Sequence, residues 1–202
     1  AKVVVAQVNP QMPRTMGDTF VHVTEIHHFV EHEEPLLEIV FRERSAVAER
    51  IARYVSGLVE DGSTVQVGIG RVSNSVLRYL DDKKDLGAHG EIITDAHLYL
   101  VKKGVLTGRR KNLHPGRIIA SMCIGSRELY DYVHNNPEVE FYPIDYVNDS
   151  RVISRNDRMV AINSALEIDL TGQVCADSLG HTVYSGIGGY VGAAFSPDCK
   201  RI

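Results

Sequence analysis

"TVQVGIGRVSNSVLRYLDDKKDLGAHGEIITDAHLYLVKKG", residues 64–104, sets two short apolar bursts against two amphipathic stretches. "TVQVGIG" reads as a strand, "NSVLRYLDDKK" as a helix, "GAHGEII" as a second strand and "DAHLYLVKKG" as a second helix. Brief apolar runs punctuated by glycine are strand-like, whereas apolar positions spaced over ten residues are helical. Strands that alternate with helices must return by right-handed crossovers, which makes them parallel.

The same grammar extends downstream. "GRIIASMCIG" reads as a strand, "SRELYDYVHNN" as a helix and "VEFYPIDYV" as a strand. Upstream, "SAVAERIARYVSGLVED" spaces Val47, Ile51, Tyr54, Val55 and Leu58 as one apolar helical face, closed by "DGS". Near residue 159 the pattern changes. "MVAINSALEIDLTGQVCADSLG" reads as two longer strands about an "LTGQ" turn, a hairpin expected to join the sheet. Residues 1–40 carry the strand-like runs "KVVVAQV" and "FVHVTEI" around a proline-rich "NPQMPRTMGD" loop, with a boundary expected near residues 33–45. The expected class is α/β: a mostly parallel sheet with flanking helices and a late antiparallel hairpin. No internal repeat interrupts it.

With 202 residues, 44% hydrophobic and 24% charged, the chain suits one good-sized domain, or one domain with part of another. A net charge of −4 advertises no nucleic-acid partner. No apolar run nears the ~20 residues of a membrane span, and the opening residues lack a signal-peptide layout. Cys123, Cys175 and Cys199 are odd in number and without CxxC spacing, which fits a reducing compartment, the first two as small core residues. These features describe a cytoplasmic globular protein. The chain opens in a strand-like run without methionine and closes on "AAFSPDCKRI", so both ends read as cut from something larger.

Several groups could carry chemistry. Glu91 follows an apolar strand, where a charge is costly unless compensated. It is either a strand-end carboxylate leaning into water, one half of an ion pair, or a nucleophile in an apolar pocket. Gly68 and Gly70 bracket Ile69 where a strand becomes a helix. Glycines there admit a ligand to the backbone, and the helix start offers N–H groups to an anion; a plain turn explains the spacing equally. "SGIGGYVG", with Gly186, Gly188 and Gly189, is either a donor cluster for an oxyanion or a bulged loop. Residues 102–117 hold six of the 22 basic side chains, a phosphate contact or a solvated loop. Four histidines in "VHVTEIHHFVEHEE" lie in a strand-like context that does not gather them into a metal site. No GxSxG elbow marks a hydrolase triad.

Read in order, five stretches fit one family: "VNPQMPRTMGDTFVHVTEI", "VQVGIGRVSNSVL", "DKKDLGAHGEIITD", "LHPGRIIASMCIGSRELYDYVHNNPEVEFYPIDYVND" and "MVAINSALEIDLTGQVCADSLG…YSGIGG". From residue 1 to about residue 190 the chain resembles the acetyl-CoA hydrolase/transferase family, especially its 4-hydroxybutyrate and butyrate:acetate CoA-transferase branch. The resemblance implies paired α/β domains with a cleft between them, in the fold shared with sugar-phosphate isomerases. Residues 1–40 would be the tail of the first domain and residues 41–202 the second, shortened at its C-terminus. It implies transfer of CoA between an acyl-CoA and a short-chain carboxylate. Coenzyme A is then a substrate, with no permanently bound cofactor and no metal, in a homodimer.

The family's H-[ST]-E-x-x-[ST]-D stretch carries its nucleophile, and here it is "HGEIITD", so the role falls on Glu91. Oxyanion donors of the family carry over to the backbone near Ile69, within Gly68–Gly70, and to Gly188 or Gly189 in the cluster opened by Gly186. The same resemblance covers hydrolases that pass the intermediate to water, and an incomplete piece that keeps only the fold. Two departures stand out. Gly90 occupies the position where relatives carry serine or threonine, and "YVGAAFSPDCKRI" leaves the family pattern after the late glycines.

Overall fold

The computed structural model describes residues 2–39, 45–68, 70–186 and 199–202. The opening segment contributes strands β1 (Val5–Val8), β2 (Met16–Gly17) and β3 (His28–Glu31). Helix α1 (Ala46–Ser56) follows, then β4 (Thr64–Val67), α2 (Arg71–Arg78), β5 (Gly87–His89), β6 (Ile92–Ile93) and α3 (Asp95–Lys102). Next come β7 (Ile118–Ala120), β8 (Met122–Cys123), α4 (Arg127–Val133), β9 (Val139–Phe141), α5 (Ile144–Val147) and α6 (Ser150–Ile153). The last strands are β10 (Met159–Ile162), β11 (Glu167–Ile168), β12 (Val174–Cys175), β13 (Ser178–Leu179), β14 (Thr182–Val183) and β15 (Lys200–Arg201).

Seven strands form one sheet in the order β15-β10-β4-β5-β7-β9-β2, and every pairing in it is parallel. This is the expected α/β class, with β4 and β5 central and therefore buried on both faces. Alternation along the strands sorts their side chains. Val65, Val67, Ala88, Ile118, Ala120, Val139, Phe141, Val160 and Ile162 pack with α1–α4 in the main core. On the opposite face Met159 and Ala161 meet Ile153 and Cys199 in a smaller cluster. Thr64, Gln66 and His89 are buried there too, so this second layer is polar.

The departures from the sequence reading have physical causes. Helix α1 buries Ala48, Ala52 and Ser56, while Val47, Ile51, Tyr54 and Leu58 of the expected face are exposed and only Val55 packs partly inward. Small residues let two helices approach closely, and α1 packs against α2. "FVHVTEI" is not a strand: Val23–Glu25 forms a 3₁₀ turn, and the strand lies later, at β3. "VEFYPIDYV" divides at Pro143, which ends β9 and opens α5. The hairpin β11–β12 forms its own two-stranded sheet rather than joining the large one, whereas β10 enters the large sheet beside β4. Cys199 is buried and Cys123 and Cys175 are half-buried, reversing the order expected; all three are free thiols.

Asp95 ties two helices together. Its carboxylate accepts from the Ser126 N–H at 3.1 Å and the Ser126 hydroxyl at 2.7 Å, so the first residue of α3 caps α4. A Cβ on Gly125 would stand 2.9 Å from that carboxylate and 2.7 Å from Leu129, which excludes any side chain there. Replacing Asp95 by alanine is expected to cost about 1–3 kcal/mol, since it removes a cap and strands a partly buried donor. Urea unfolding of the variant measures this directly, and an unchanged midpoint would contradict it.

Candidate functional site

The carboxyl ends of β10, β4 and β5 lie side by side, the edge where open α/β sheets hold ligands. Gly68 leaves β4 with its N–H bound to the Ile162 carbonyl at 3.0 Å, and a Cβ there would come within 3.3 Å of the Asn163 side chain. Gly70 then starts α2 at φ +138° and ψ 174°, a torsion that glycine alone adopts cheaply. It supplies no side-chain cap, so the first-turn N–H groups of α2 keep no side-chain acceptor at Gly70.

On the neighbouring strand, Glu91 follows Gly90 at the end of β5. Its backbone is pinned against the β7–β8 segment. The Gly90 N–H donates to the Ile119 carbonyl at 3.1 Å, and the Glu91 carbonyl accepts from Ser121 and Met122, each at 2.9 Å. The side chain is half-buried, and among the described residues its carboxylate makes no hydrogen bond or ion pair. Of the three sequence readings, the structural ion pair finds no partner among the described residues. A Cβ on Gly90 would stand 3.2 Å from Cγ of Gln66, whose buried Oε1 also has no hydrogen-bond partner among the described residues. A side chain at position 90 would thus require the Gln66 stem to give way slightly.

The structure brings Gly68, Gly70 and Glu91 to one edge. Gly186 is exposed beyond the β13–β14 hairpin, with no heavy atom within 4 Å of its Cβ position apart from its chain neighbours. Ile69, Gly188 and Gly189 lie outside the described residues. One strand across from Glu91, a cavity of about 760 Å³ opens between the first segment and β8, lined by Met12, Leu36, Ser121, Met122 and Phe141 among others. Glu91 is not one of its walls.

The basic stretch 102–117 is largely solvated, with Lys102, Lys103, Arg109 and Arg110 exposed, and Lys111 is its exception. Lys111 is buried, and its Nζ donates to the carbonyls of Ala88 and Arg117, both at 2.9 Å. Burial draws its ammonium down to about 7. Lys102 pairs with Glu128, Lys103 lies over the Tyr99 ring and Arg117 bonds to Pro137 and Glu140. Of these, the buried Lys111 is the one tied into the sheet. It supports β5 from beneath, two residues before Gly90. Beside it His89, buried and bonded through Nε2 to the Val147 carbonyl at 3.0 Å, is pushed down to about 4 by burial and then by the Lys111 charge.

Sequence reasoning passed over a second buried group. Asn74 of α2, Thr94 and His97 of α3 form a chain of hydrogen bonds between the glycine turn and the segment after Glu91. Its visible signals were an asparagine inside a helix, where that residue is unfavourable without a dedicated partner, and Thr94 at the second serine-or-threonine position of the family stretch.

Comparison with known proteins gives a consistent picture. The Acetyl-CoA hydrolase/transferase C-terminal domain profile matches residues 125–202. The whole chain is 48% identical to 4-hydroxybutyrate coenzyme A transferase of Clostridium kluyveri, covering 48% of that protein. It is 46% identical to the crystal structure of 4-hydroxybutyrate CoA-transferase from Porphyromonas gingivalis, with a TM-score of 0.82 over 85% of this chain and 44% of that one. RipA from Yersinia pestis superposes with a TM-score of 0.89 at 35% identity, over 97% of this chain and 46% of that one. The chain spans about half the length of the curated relatives it matches. Among the described residues no helix is long and apolar enough to cross a membrane.

Proposed function

The chain belongs to the acetyl-CoA hydrolase/transferase family, in its 4-hydroxybutyrate and butyrate:acetate CoA-transferase branch, and from that premise we propose that it carries the nucleophile of an acyl-CoA:carboxylate CoA-transferase. Glu91 is that nucleophile and coenzyme A is carried as substrate. The observation that supports this reading is the setting of Glu91: half-buried, fixed through its backbone, unpaired among the described residues, and one strand from the α2 turn.

The chemistry follows from the residue type. A Glu91 carboxylate oxygen attacks the thioester carbonyl carbon, the C–S bond breaks, and CoA leaves as thiolate from an acyl-glutamyl anhydride. The thiolate then attacks the Glu91 carbonyl carbon, expels the acyl group as its carboxylate, and leaves a glutamyl-CoA thioester. A second carboxylate runs both steps in reverse, with no net proton transfer. A serine ester would be too stable to return the acyl group to sulfur, whereas an anhydride keeps the thioester's activation. Each step places negative charge on a tetrahedral oxygen. The backbone N–H groups near Ile69 and Gly70 are its donors on this side, each worth about 3 kcal/mol when preorganised, while the Gly68 N–H stays bound to the Ile162 carbonyl. Gly186, Gly188 and Gly189 are proposed as the opposing set. The second substrate is a short-chain carboxylate.

Incubating the intact enzyme with acetyl-CoA, followed by peptide mass spectrometry, is expected to find CoA attached to the Glu91 peptide. Absence of the adduct, with Glu91→Ala binding CoA as well as the parent, would overturn the reading. Adding acetate or butyrate then distinguishes transfer of CoA to the acid from release of free thiol, the outcome expected of a hydrolase.

A further inference from the structure

Asn74 bridges the two halves of the site. Its Nδ2 donates to the Gly70 carbonyl at 3.1 Å, and its Oδ1 accepts from the Thr94 hydroxyl at 2.8 Å. The Thr94 N–H in turn donates to Nδ1 of His97 at 3.1 Å. All three side chains are buried, Asn74 at 8% and the others at 4% exposure. On one side the bridge adds a second bond to the Gly70 carbonyl, which the Asn74 backbone N–H also holds at 3.0 Å, and the glycine-only torsion of Gly70 aims the start of α2. On the other it grips Thr94, three residues beyond Glu91. The intervening Ile92 and Ile93 are paired with Met122 and Cys123 of β8, so a short strand-paired backbone joins Glu91 to Thr94.

We propose that Asn74 is a positioning residue that, through Thr94, fixes the separation between the Gly68–Gly70 turn and the Glu91 carboxylate. This rests on the reading of Glu91 as nucleophile and of the turn as an oxyanion donor. Asn74 touches neither substrate nor reacting atoms. Its contribution is that the donors already stand at the developing oxyanion when the carboxylate attacks. A misplacement of about 1 Å between such groups costs roughly a hundredfold in rate. The loss falls on the chemical step, because the surfaces that bind CoA and the acid are left in place.

The test uses three single variants of the intact enzyme and follows CoA transfer from acetyl-CoA to butyrate. Thr94→Val keeps shape and loses only the hydroxyl, Thr94→Ser keeps the hydroxyl, and Asn74→Ala removes the bridge. Asn74→Ala and Thr94→Val are expected to lower kcat roughly ten- to a hundredfold with KM within about twofold. Thr94→Ser is expected to stay near the parent, and the Asn74→Ala/Thr94→Val double variant to be no slower than the slower single one. The inference is overturned if folded Thr94→Val keeps the parental kcat, if the losses sit in KM, or if Thr94→Ser loses as much as Thr94→Val. The valine–serine pair decides the matter even if Asn74→Ala does not fold. A parent that forms no CoA adduct on Glu91 overturns the nucleophile reading as well. A parent that forms it, with variants forming it equally fast, overturns this inference alone.

Discussion

Exchanging Glu91 for glutamine is expected to abolish CoA transfer, by roughly a thousandfold or more, while leaving the fold unchanged. The amide has the carboxylate's shape but cannot attack a thioester, so no anhydride forms, and loss of a covalent nucleophile is among the costliest single changes an enzyme can suffer. Stability should hold for a separate reason. The Glu91 carboxylate has no hydrogen bond or ion pair among the described residues, and its backbone bonds to Ser121 and Met122 survive the exchange. Thermal unfolding of the variant should match the parent, and the CoA adduct should vanish from the residue-91 peptide. Glu91→Asp is a sharper probe, since it keeps the charge and withdraws it by about one methylene. Near-attack geometry makes that withdrawal costly, so its activity should fall well below the parent. Turnover within tenfold of the parent for Glu91→Gln would end the nucleophile assignment.

The second large effect is acid sensitivity with a defined proton count. His89 and His97 are both held near 4 by burial, against an ordinary value of 6.5. Between those values the unfolded chain binds a proton at each position and the native chain binds none. Stability is therefore fully present above pH 6.5 and is lost as pH falls towards 4. Two such groups give a slope of about 3 kcal/mol per pH unit in that window. Domains have only about 5–15 kcal/mol to lose. Unfolding free energies from urea titrations at pH 6.5, 5.5 and 4.5 measure the slope, and His97→Gln should reduce it to about half. A slope below one proton equivalent would contradict the assignment. Lys111 has the same sign at higher pH. Its ammonium is drawn down to about 7 from 10.5, so stability should climb across that interval, and Lys111→Met should flatten the climb.

The layered architecture was legible because burial on both sheet faces leaves continuous apolar strands, and helices between them keep a 3.6-residue period. Less was legible where packing is decided by closeness rather than hydrophobicity. In α1 the largest apolar side chains were read as the buried face, yet the helix, which packs on α2, buries Ala48, Ala52 and Ser56. Pro143 could have divided "VEFYPIDYV", since it cannot donate to a ladder. Within the site, Gly68 and Gly70 were visible as turn glycines and Glu91 as a misplaced charge. Joining them required the family motif, because the adjacency of β4 and β5 edges is a property of topology. Lys111 was hidden among six basic residues. Composition counts charges and does not say which aliphatic stem threads inward.

The strand order has a consequence for how the chain reaches this state. β4 is flanked by β5 and β10, and Thr64 pairs with Met159, ninety-five residues later. At a synthesis rate of about 5–20 residues per second, one edge of this fully buried strand waits roughly 5–20 s for its neighbour. During that interval it offers unpaired amides and carbonyls to any other nascent strand. The central position of β4, which brings the Gly68 and Glu91 strand ends to one sheet edge in the finished protein, thereby leaves the newborn chain open to edge-to-edge association. Crowded overexpression should send it to inclusion bodies more readily than slowed synthesis at low temperature.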